Sequence, residues 1–190
     1  MVDEREYHSL VIPPSIWDHI QGMLSAAVVL VMYGDYECFQ SANAYRLIKA
    51  AQQQLSPFFE ENDVCFIFRH FPQVAIHPHA QRAAEAAEAA AVQGQFWQMH
   101  EMLFTHQQAL ENGYLVEYAN RLRLNVPVFL QGLSRGSYVN HINTDIKSGQ
   151  KSGVGAAPAL FINRIRYRNV WSIEHLVKAV IATRGFNAKN

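Results

Sequence analysis

The chain has 190 residues, 49% hydrophobic and 17% charged, and its 16 basic and 16 acidic residues leave no net charge. That balance, with no basic run, argues against a nucleic-acid partner, and the apolar share can bury the core of one domain or of one domain with an insertion. The longest apolar run, residues 26–33, is far short of a membrane span, so no membrane partner is expected.

Acidic residues follow Met1, and Pro13-Pro14 breaks the next apolar stretch, so no secretory h-region is read. The two cysteines make no disulfide framework, and together these features predict a cytoplasmic protein. Residues 26–33 are continuously apolar and β-branched, as in a strand covered on both faces. Cys38-Phe39-Gln40-Ser41 comes next. Residues 39–55 carry Ala42, Tyr45, Ile48, Lys49 and Gln52 at helical spacing, and Pro57 marks the exit. Residues 64–69 predict a second strand, parallel to the first through a right-handed crossover, and Pro72 stops it.

From residue 78 to 92 the sequence predicts an alanine-rich helix, with Arg82, Glu85 and Glu88 as its polar stripe and Gly94 as its stop. Further helices are predicted at 95–108, 114–123, 127–133 and 136–150. Residues 159–163 and 165–170 read as short strands joined by a tight turn at Asn163-Arg164, and a last helix runs from Ser172 to about residue 183.

Cys38 sits where a buried strand hands over to a helix, and it reads as half of a dithiol redox site. In a Cys-x-x-Cys pair the first thiolate is stabilised by free backbone donors at the helix start, and the second thiol, one turn on, resolves the mixed disulfide. Here the attacking cysteine is present and Ser41 stands at the resolving position. The position predicts a partly exposed Cys38, which neighbouring Asp35 and Glu37 would oppose in its ionised form if they lay close.

Cys65 cannot resolve it: it lies about four residues, or roughly 13 Å, before the strand end, and a disulfide needs Cα atoms within about 7 Å. It reads as a small buried hydrophobe. His77, His79, His100 and His106 show no two-ligand helical spacing and no cysteine or acidic cluster beside them, so no metal site is expected. Tyr36 and Phe39 are expected to form an apolar rim for substrate, with Gln40 beside them, whereas Tyr33 is better explained by packing.

Five stretches resemble the DsbA-like branch of the thioredoxin superfamily, in the right order. They are Tyr33-Gly34-Asp35-Tyr36-Glu37-Cys38, Arg69-His70-Phe71-Pro72, His77-Pro78-His79-Ala80, Gln93-Gly94-Gln95-Phe96-Trp97-Gln98-Met99-His100, and Gly153-Val154-Gly155-Ala156-Ala157-Pro158 with the strand that follows. The resemblance implies an α/β thioredoxin-like fold, β-α-β and β-β-α halves, with an inserted all-helical domain. The corresponding boundaries are 23–72 and 152–184 for the thioredoxin-like part, 73–151 for the insert and 1–22 for an N-terminal extension. It also implies that Pro158 is a cis-proline facing Cys38, with Ala157 offering its backbone to substrate.

The chain departs from that pattern at Ser41, at Phe39-Gln40 and at Asn163-Arg164. Without a second thiol a mixed disulfide at Cys38 must await an external thiol. The expected activity is therefore monothiol disulfide exchange on a disulfide-containing protein or a glutathione mixed disulfide, with Ser41 donating a hydrogen bond to the thiolate. No bound cofactor is expected; glutathione or another low-molecular-weight thiol would be a co-substrate. Two alternatives remain: a redox-inactive domain binding a partner at the Cys38/Pro158 groove, and a kappa-type glutathione transferase, which carries serine at the position matching Cys38.

Overall fold

Two apolar segments form the centre of a five-stranded sheet, because each has hydrophobic residues for both faces. The computed structural model describes residues 9–57, 59 and 63–187; the acidic start lies outside them. In chain order the elements are β1 (His19–Gln21), β2 (Val28–Gly34), α1 (Phe39–Leu55), β3 (Val64–His70), α2 (Ala80–Ala91), α3 (Phe96–Thr105), α4 (Asn112–Arg121), α5 (Val126–Ser134), α6 (Val139–Lys151), β4 (Ala159–Ile162), β5 (Ile165–Arg166) and α7 (Ile173–Asn187).

The strand order is β1-β3-β2-β4-β5. β2 and β3 are parallel, with Gly34 opposite His70, and β4 is antiparallel to β2. Period-2 alternation splits the sheet residues between two cores. Val28, Leu30, Met32, Phe66 and Phe68 pack with α1, α7 and the helices α2–α5, while Val31, Tyr33, Cys65 and Ile67 pack with Leu10, Phe71 and Phe161. The helices α2–α6 lie in the chain between β3 and β4, so the fold is the α/β thioredoxin-like one.

Several elements differ from the sequence reading. β1, only His-Ile-Gln, pairs antiparallel with β3 at the sheet edge and comes from within the expected N-terminal extension. The strand expected over 165–170 stops at Arg166, after which Tyr167 turns inward and its hydroxyl donates to the Val170 carbonyl at 2.7 Å. The turn between β4 and β5 places Asn163 at φ 44° and Arg164 at φ 74°, the left-handed geometry of a two-residue hairpin turn. Arg164 offsets that cost by donating through Nε and Nη2 to the Leu10 carbonyl.

The polar stripe of α2 is not solvated. Alanines bury the helix nearly all round, and Glu85 and Glu88 are buried with it. Glu85 is met by Arg82 Nη1 at 2.9 Å, and Glu88 Oε1 accepts from His19 and His70. Burial alone would push the Glu88 carboxyl up, but those two hydrogen bonds hold it well below the ordinary carboxylate range.

The segment before β1 is anchored by a buried ion pair. Arg69, 3% exposed, donates to both Asp18 carboxylate oxygens at 2.6 and 3.1 Å, to the carbonyls of Ile12 and Pro13, and to the Tyr33 hydroxyl. Removing one partner of such a pair strands the other charge. Asp18→Ala is therefore expected to cost about 3 kcal/mol in urea unfolding at neutral pH. A loss below about 1 kcal/mol would show that the carbonyls alone satisfy the guanidinium.

Candidate thiol site at the end of the central strand

β2 ends at Gly34, and four residues later Cys38 is the N-cap of α1, in extended conformation at φ −79° and ψ 115°. The close approach at Gly34 needs glycine, since a Cβ there would lie 2.4 Å from the Phe68 ring. The intervening turn is tightly held. Cys38 N–H donates to the Asp35 carbonyl, and the Asp35 carboxylate accepts from Glu37 N–H, from Gln73 N–H and from His77 Nδ1, each at 2.8 Å. Glu37 accepts from the His79 N–H at 2.7 Å, so both acidic side chains are spent on the turn and on the lead into α2.

The Ala157–Pro158 peptide bond is cis, and the Cys38 thiol faces the Ala157 carbonyl oxygen at 3.7 Å. The same sulfur lies 3.2 Å from Gln40 Oε1. Ala157 N–H donates to Gln73 Oε1 at 3.0 Å, so Gln73 ties the Asp35 turn to the proline loop through its main chain and its side chain. From the helical side, Gln107 Nε2 donates to the carbonyls of Tyr36 and Cys38 at 2.7 and 2.9 Å.

Of the residues singled out from sequence, Cys38, Gln40, Ala157 and Pro158 meet here. Phe39 is 67% exposed beside them, with the Arg46 guanidinium over its ring. Three expectations are corrected. Cys38 is only 3% exposed rather than partly exposed, because the Gln40 carboxamide and the Ala157 carbonyl both lie on the sulfur. Ser41 is fully buried, and its Oγ accepts from the Asp35 N–H at 3.2 Å instead of donating to Cys38. Tyr36 belongs to the core and not to a substrate rim: it is 1% exposed, its ring stacks on Phe68 and its hydroxyl pairs with His100 Nδ1 at 2.9 Å.

Cys65 is fully buried in β3, and burial, with the Asp18 charge adding, pushes its thiol up to about 11. The histidines weighed from sequence are dispersed: His77 on Asp35, His79 leading into α2, His100 on Tyr36, and His106 on the Met102 carbonyl. Gln73 and Gln107 escaped sequence reasoning, since a neutral carboxamide that meets backbone groups more than 60 residues away leaves no spacing signal.

A family model described as thioredoxin matches residues 15–182. The Na(+)/H(+) antiporter NhaA 3 of Salinispora tropica is 37% identical over 165 residues, which cover 87% of this chain and 24% of that protein. The NhaA antiporter of Herminiimonas arsenicoxydans is 35% identical over 167 residues, covering 88% and 26%. The chain thus spans about a quarter of the length of these curated relatives, and the antiporter names belong to the longer proteins. Among solved structures, oxidised BdbD from Bacillus subtilis superposes with a TM-score of 0.78 at 20% identity, covering 94% of this chain and 99% of that one. Wolbachia pipientis alpha-DsbA1 gives 0.78 at 16% identity, covering 94% and 96%. A match running from before β1 into α7 means that the chain belongs to the thioredoxin family, and its fold, with helices entering between the parallel pair and the final hairpin, is the one the BdbD and alpha-DsbA1 structures share.

Proposed function

We propose that the chain is a thiol-disulfide oxidoreductase that works with one cysteine. The Cys38 thiolate attacks the glutathione sulfur of a protein-glutathione disulfide, the protein leaves as its thiolate, and Cys38 is left joined to glutathione. A second glutathione thiolate attacks that adduct, releasing oxidised glutathione and regenerating Cys38. One observation carries the reading: the Cys38 sulfur lies 3.7 Å from the carbonyl of Ala157, beside a backbone edge against which an extended substrate can lie. Ser41 braces the turn through the Asp35 N–H and supplies no second thiol. The reaction is assigned to the cytoplasm, where low-molecular-weight thiol is abundant. Incubation with oxidised glutathione is expected to add one glutathione to Cys38, detected by intact mass. If a small alkylator labels Cys38 while oxidised glutathione does not, the cycle loses its first step.

The burial of Cys38 favours a second reading, a domain that binds a partner at this groove without turnover. The glutathione experiment separates the two.

The resting site is covered. Gln40 is an exposed helix residue whose side chain can swing off the sulfur, and Gln73 Oε1 occupies the Ala157 N–H that an incoming main chain would use. Gln73→Ala is expected to raise kcat/KM for a glutathionylated peptide by about 3- to 10-fold, since one competing hydrogen bond of about 1 kcal/mol is removed. The smaller substrate oxidised glutathione should gain less. Equal gains on both substrates would mean that Gln73 does not compete for the main-chain position.

A further inference from the structure

We propose that His19, Glu88 and His141 form a site for a divalent transition-metal ion, with His70 holding the carboxylate in place. The three come from separate elements, β1, α2 and α6, which is why no sequence spacing marks them. Glu88 Oε1 lies 2.5 Å from His19 Nε2 and 3.9 Å from His141 Nε2, and one ligand atom from each residue lies within 4.8 Å of the others. Metal bonds near 2.0–2.1 Å set tetrahedral ligand atoms roughly 3.4 Å apart. The observed spacings straddle that value, so small side-chain rotations complete the shell.

The protonation pattern sorts ligands from support. A carboxylate can only accept, so His70 Nε2, 2.7 Å from Glu88 Oε1, is the donor and its Nδ1 is left as a bare lone pair. That Nδ1 is buried and has no hydrogen-bond partner among the described residues. An Nε2 ligand would instead leave a buried N–H unpaired there, so His70 acts by orienting Glu88. Both histidine hydrogen bonds to Glu88 fall on Oε1, so an ion takes the place of the His19 proton between Nε2 and Oε1 while the His70 bond is kept.

The His19 ring is fixed in plane by stacking on Phe96 at 3.4 Å between centroids and 5° between planes. The His141 side chain is 36% exposed and gives an ion a way in, with water filling the fourth position. Two imidazoles and a carboxylate suit a borderline ion such as Zn2+. Bound there, it would pin the sheet edge to two helices of the insert.

The test is a Zn2+ titration of the full chain, first stripped with EDTA, in competition with a chromogenic chelator. One equivalent is expected to bind with Kd at or below the order of 10 µM. His141→Ala, at a half-open position that tolerates truncation, should weaken binding at least about tenfold. His175→Ala, on the exposed start of α7, and Cys38→Ala should leave it unchanged. At the same Zn2+ concentration the melting temperature of the wild type should rise more than that of His141→Ala. Absence of a stoichiometric equivalent, wild-type affinity in His141→Ala, or loss of binding in Cys38→Ala would each overturn the assignment.

Discussion

Cys38→Ala is expected to lower the rate of glutathione release from a glutathionylated peptide by at least about 1,000-fold. The substitution removes the only thiol beside the Ala157 edge among the described residues, since Cys65 is sealed in β3 and its thiol is held protonated by burial. It should leave the fold intact. The side chain is small, caps α1 through its backbone rather than through a side-chain hydrogen bond, and its loss leaves no charged group without a partner. Circular dichroism and urea unfolding check that condition, and chromatographic quantification of released glutathione reads the rate. Activity within about tenfold of wild type in a folded Cys38→Ala chain would remove Cys38 from the chemistry.

Ser41→Cys should change how the mixed disulfide is released. Residues 38 and 41 are one helical turn apart at the start of α1, inside the Cα separation of about 4.4–6.8 Å that a disulfide spans. Oxidation should close a 38–41 disulfide, seen as the loss of two titratable thiols. With scarce external thiol, release of a peptide from its Cys38 mixed disulfide should become on the order of 100-fold faster, because the attacking sulfur is now held in place. A cost is expected too. Ser41 Oγ accepts from the Asp35 N–H, and sulfur is a weaker acceptor, so the variant should lose about 1 kcal/mol of stability. If the 38–41 disulfide forms while release still scales with external thiol, the missing second thiol is not what sets the wild-type cycle.

The frame of this fold could be read from its hydrophobic runs. β2 and β3 are apolar on both faces, and their length, the crossover helix between them and the cysteine at its start follow from that pattern. What escaped reading depends on contacts between distant residues. β1 is three residues of no marked propensity whose strand character comes from its partner β3. Tyr36 lies beyond the end of β2, where alternation no longer says which way a side chain points, and it turned into the core toward His100. Cys38 was placed correctly along the chain, yet its cover is a side chain two residues on and a carbonyl from residue 157. Glu88 reads from the sequence as part of the polar stripe of α2, because the histidines that meet it come from positions 19 and 70.

Gln107 gives the sulfur a mechanical dependence on the other half of the molecule. One carboxamide, in the turn that follows α3, grips the carbonyls of residues 36 and 38 together. A body that leaned on α3 would therefore pull on both carbonyls, and its push would reach the sulfur without touching it.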